Sequence, residues 1–157
     1  MKWIEDTAER AKNLAAQSDA ADFSEIGPSL VEWLAVLLDE LKGLKEGFEW
    51  NRISMEIWLD SGRLIGYPAL GSYEVSQWPV SVELTIPFLA IEYNQAASED
   101  EENQSVSSLE YRLWMALRQA FRDGEIKRRM NDLKKSKVFT IWRQRGGDLS
   151  TASQFMV

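Results

Sequence analysis

The sequence predicts an α+β fold: one domain with a mainly antiparallel sheet of about four strands and helices packed on one face, in the order α-α-β-β-β-α-α-β. Three observations carry this. Apolar residues recur with helical spacing on both sides of the chain's centre, they alternate in between, and 157 residues suit one hydrophobic core.

Residues 3–17 are helix-compatible, with Trp3, Ile4, Ala8, Ala11, Leu14 and Ala15 forming a narrow stripe of mostly small side chains. A stronger helix follows Gly27-Pro28. Ser29 and Glu32 have the spacing of a capping box, and Leu30, Val31, Trp33, Leu34, Leu37, Leu38, Leu41 and Leu44 make a broad apolar face, with Gly47 as a stop. This helix is expected to be the spine of the core.

From Trp50 the period changes to two. Ile53, Met55, Ile57 and Leu59 alternate with Arg52, Ser54, Glu56 and Trp58, as in a strand with two distinct faces. Asp60-Ser61-Gly62 fits a hairpin loop with its glycine in the left-handed region, and Arg63 to Tyr67 returns as the partner strand. Val80, Val82, Leu84 and Ile86 mark a third strand. Pro87 lacks an amide donor and so implies an edge or bulge, beyond which Phe88 to Tyr93 continues the strand. The polar, acidic run 94–105 reads as a mobile loop. Ser107 and Glu110 repeat the capping-box spacing with Val106 and Tyr111 as a staple. A helix then carries Leu109, Leu113, Leu117 and Phe121, is interrupted at Asp123-Gly124, and resumes with Ile126, Met130 and Leu133. Val138 to Trp142 is a short strand, and 146–157 a loosely ordered tail.

Composition excludes more chemistry than it offers. The chain has no His and no Cys, which removes imidazole general bases, Ser-His-Asp triads, thiolate nucleophiles and the usual zinc sites. Phosphate loops, dinucleotide fingerprints and calcium loops are absent from the sequence as well, so no cofactor and no metal is expected. The N-terminal residues lack a signal-like apolar run and no stretch is long enough to span a membrane, so the expectation is a cytoplasmic protein without membrane contact.

Charge is unevenly distributed. Residues 1–105 hold 20 acids and 7 bases, residues 106–157 hold 5 acids and 11 bases, and the net charge is −7. No Lys or Arg lies between Arg63 and Arg112. The strands and the following loop are therefore acidic, and Glu56, Trp58, Glu74, Trp78, Glu83, Glu92, Glu99, Asp100, Glu101 and Glu102 are the candidate partner-binding residues. Trp58 falls on the polar side of its strand and Trp78 at a loop-to-strand junction, where an exposed indole serves as an interface anchor. Arg118, Arg122 and Arg129 share a helical row, but a pI near 4.7 argues against nucleic acid as partner.

These features point to a non-enzymatic binding module that presents an acidic, Trp-containing sheet face to a basic protein. One form is an inhibitor of a cationic toxin or enzyme, of the kind immunity proteins are. Two alternatives stay open. One is a carboxylate-dependent hydrolase using two of Glu56, Asp60, Glu74 and Glu83, or a small-molecule binder with its pocket between sheet and helices; the other is a homo-oligomer that sets its acidic face against a basic C-terminus.

Overall fold

In the computed structural model, residues 1–6, 12–44, 49–69, 80–99, 104–133, 138–145 and 148–156 are described. They form an α+β domain around a seven-stranded mixed sheet. The strands are β1 (Ile4–Asp6), β2 (Asn13–Gln17), β3 (Arg52–Trp58), β4 (Arg63–Ala69), β5 (Ser81–Thr85), β6 (Val138–Arg145) and β7 (Asp148–Met156). The helices are α1 (Ile26–Lys42), α2 (Pro87–Glu99), α3 (Gln104–Phe121) and α4 (Gly124–Asp132).

The sheet order is β1-β2-β5-β4-β3-β6-β7. At its centre β3, β4 and β5 make an antiparallel meander, the part most legible in the alternation of apolar and polar residues. Each flank is an antiparallel hairpin joined in parallel: β1–β2 onto β5, and β6–β7 onto β3. Parallel joining needs a long crossover. Helix α1 lies in one crossover of the chain, between β2 and the meander, and α2, α3 and α4 fill the other.

Helix α1 is the spine that its apolar face implies. Leu30, Trp33, Leu34, Leu37 and Leu38 are almost completely buried, and Trp33 donates its indole N–H to the Val82 carbonyl of β5 at 3.0 Å. Gly66 of β4 lies directly beneath Leu37, so α1 covers the sheet face that carries Ile53, Met55, Leu64, Val82 and Leu84. Helices α3 and α4 pack against α1, and α2 packs against α3.

Several expectations are corrected. The segment read as helix 3–17 instead supplies β1 and β2. Its small residues make a weak helical face, while β5 offers an open edge: Ser81 N–H donates to the Lys12 carbonyl at 3.0 Å and Ser18 N–H to the Thr85 carbonyl at 2.8 Å. Helix α1 begins at Ile26, earlier than the expected box. First-turn amides need no intrahelical acceptor, so Pro28 is tolerated there. Ser29 is buried inside the helix and bonds Ser18 Oγ at 2.6 Å, and Glu32 accepts from the Trp3 indole at 3.2 Å, so neither side chain caps α1. The helix stops at Gly43; Gly47 lies outside the described residues.

Pro87 opens α2 instead of kinking a strand, and 88–93 is helical. Its missing N–H costs nothing at a first helical position. The expected 94–105 loop is divided: residues 94–99 complete α2, 104–105 start α3, and 100–103 lie outside the described residues. Because α3 begins at Gln104, Ser107 falls within its first turn and Tyr111 is 63% exposed, so the second box and staple are not formed. Residues 148–156 are strand β7, paired along its length with β6, in place of a loose tail. The strand count is accordingly larger than expected. The element order differs from the expected one at β1–β2, which the distant edge of β5 holds, at α2, and at β7, which pairs with its neighbour β6.

Candidate functional site

Strand register defines the sheet face opposite α1. Glu56 pairs with Ile65, and Ile65 with Glu83, so the three occupy one row across β3, β4 and β5. Trp58, Arg63 and Thr85 form the next row. The two carboxylate-bearing residues thus share a face, which the pairing register decides, with one strand between them and backbones about 10 Å apart.

Their environments differ. Glu56 is only 6% exposed and its Oε1 accepts the Trp58 indole N–H at 2.9 Å. Residues i and i+2 of a strand point to the same side, which brings this pair together. Among the residues whose side chains are described, which leaves out those of β6 and β7, no cation pairs with Glu56. Glu83 is partly buried and forms a charge-assisted contact with Arg63, the base that sits diagonally across on β4. Trp58 is half-buried, held in one orientation by the Glu56 carboxylate.

Other residues on this face are small or polar and also buried. Ser54 and Ser81 are nearly inaccessible, and the Ser81 hydroxyl donates to Asn13 Oδ1 at 2.7 Å. Burial of such groups is tolerable only with hydrogen-bond partners, and this bond provides one.

Glu92 is half-buried on α2, away from the Glu56–Glu83 row, and Glu99 closes α2. Glu74, Trp78, Asp100, Glu101 and Glu102 lie outside the described residues. The structure therefore brings together Glu56, Trp58 and Glu83 and adds Arg63, which the sequence reading left out. The expected loop 60–62 would have set Arg63 opposite Leu59, whereas the observed loop spans 59–62 and sets it opposite Trp58, on the face of Glu83.

For carboxylate-based hydrolysis two acids must face one another across a substrate. Here Ile65 stands between them and Arg63 is already on Glu83, so the arrangement suits recognition better than acid–base work. Among the described residues no three acidic side chains converge as metal ligands would.

The basic C-terminal region meets part of the acidic N-terminal region through ion pairs. Arg129 bonds Asp39 at 3.0 Å and Lys42 approaches Asp132 at 3.8 Å, joining α4 to α1. Lys12 joins Glu40 at 3.0 Å. Arg112 instead stacks over Phe23, 4.3 Å from the ring centroid.

No family model matches this chain, and neither a curated protein nor a solved structure is significantly similar to it. Among the described residues no helix is long and apolar enough to cross a membrane.

Proposed function

We propose that the protein is a non-enzymatic binding module whose sheet face around Trp58 receives a basic protein partner. The observation that carries the reading is the Trp58–Glu56 hydrogen bond. It fixes a partly accessible indole beside a carboxylate that has no cation among the residues whose side chains are described. An indole held in advance loses little side-chain entropy on association, and Trp is a frequent anchor of interfaces. Negative charge beside it favours a basic partner and speeds encounter. An inhibitor of a cationic enzyme or toxin is one concrete form, proposed by analogy of size and charge with immunity proteins.

The test uses the immobilised full chain and a lysate of its source cells. The expected result is retention of a basic protein, released by salt, with retention at least tenfold lower for Trp58→Ala. Glu56→Gln and Glu83→Gln, which keep side-chain shape, are expected to slow association and flatten its salt dependence. Capture that is indifferent to salt and to all three substitutions would overturn the proposal.

A further inference from the structure

Between the N-terminal turn of α1 and the C-terminal half of α3 lies a cleft of about 690 Å³, within the size range of small-molecule sites. Its walls are unlike. The α1 side is apolar, formed by Phe23, Pro28 and Val31. Phe23 is braced edge-on against Phe88, with ring centroids 5.1 Å apart, and covered by the Arg112 guanidinium. Gly27 opens this wall, since no atom lies within 4 Å of the position a Cβ would take.

The α3 side presents Gln119 and, in the turn that follows the helix, Arg122, whose N–H donates to the Gln119 carbonyl at 3.1 Å. Neither side chain has a partner among the described residues. The acids at the rim are differently placed: Glu32 accepts from the Trp3 indole, and Asp123 caps α4 by accepting from the Glu125 amide at 2.9 Å. The cleft thus combines an apolar wall, acids that already have donors, and two donors that have no acceptor among the described residues. We propose that it binds a small apolar carboxylate. The ligand's hydrocarbon body lies against Phe23, Pro28 and Val31, and its carboxylate accepts from Arg122 and Gln119. This site is separate from the sheet face and does not depend on a protein partner.

The probes are octanoate, octanol and octylammonium, titrated below micelle formation and followed by calorimetry and by the backbone amide signals of Gly27 and Gln119. Octanoate is expected to bind most tightly, and Arg122→Gln to weaken it about tenfold, to the level of octanol, as loss of one charge-assisted contact implies. Gly27→Leu places a side chain in the open space and is expected to abolish binding of octanoate while the circular dichroism spectrum stays unchanged. Arg122 is exposed, so its substitution leaves the fold intact and provides an independent check. Absence of octanoate binding, equal affinity for octylammonium, or binding unaffected by both substitutions would overturn the assignment.

Discussion

At Gly62 the chain needs a conformation that side chains resist. Its φ is +67°, and a Cβ there would run into the Ile86 backbone carbonyl, while Ile86 N–H donates to the Gly62 carbonyl at 2.7 Å. Backbone strain and steric conflict therefore act together. Gly62→Ala is expected to cost about 2 kcal/mol or more, read as a lower urea midpoint with unchanged m-value. Glu125 shows an electrostatic effect at the same scale. Its carboxyl is held below its ordinary value of 4.5, first by the Arg128 hydrogen bond and then by that residue's charge. A carboxyl whose folded pKa is depressed contributes fully above its unfolded pKa, and the contribution disappears as pH falls through the folded value. Arg128→Gln should move the Glu125 carboxyl titration, followed by carbon NMR, up toward the ordinary value. Trp58 was legible at this scale because alternation places it beside Glu56; the absence of a cation partner for that carboxylate among the residues whose side chains are described was not, since it depends on residues far away in sequence.

At the scale of elements, apolar periodicity predicted well wherever an element owns a broad buried face. Helix α1 is the clearest case, with eight buried residues from Ile26 to Leu41. Leu37 is fully buried and sits over Gly66, where no side chain could fill a vacancy. Leu37→Ala is accordingly expected to lose about 2–5 kcal/mol of stability in chemical denaturation, more than a comparable change on the partly covered β2. Periodicity misled where the element is made by its neighbour. Leu14 and the alanines of β2 have modest strand preference, and their conformation follows from the edge of β5. Pro87 was ambiguous for another reason: lack of an N–H is compatible with a strand edge and with a helix start, and only the return of the chain over α3 distinguishes them.

For the whole molecule, the charge asymmetry is partly consumed internally. Asp39–Arg129 pairs an acid of α1 with a base of α4, whereas Lys42–Asp132 runs the other way, and all of these side chains but Arg129 are exposed. Such pairs are individually weak. A double-mutant cycle on Asp39 and Arg129 is expected to give a coupling of about 1 kcal/mol or less at low salt, declining as salt is added. The two proposed sites lie on different sides of the sheet, one on the face opposite α1 and one among the helices, so substitutions at Trp58 and at Gly27 should act independently.

The amino-acid order by itself determined the α+β class, the central hairpin with Gly62, the long apolar spine, the helix break at Asp123 and the shared strand side of Glu56 and Trp58. Each of these follows from periodicity or from the conformational limits of a single residue. Tertiary structure decided the rest: that residues 4–6 and 13–17 are strands, that 87–99 is a helix, that the described residues form a seven-stranded sheet, and that Arg63 meets Glu83 while Glu56 accepts from an indole. Those outcomes arise from strand edges, crossovers and buried charge, where the energy of one segment depends on another that is distant in the chain.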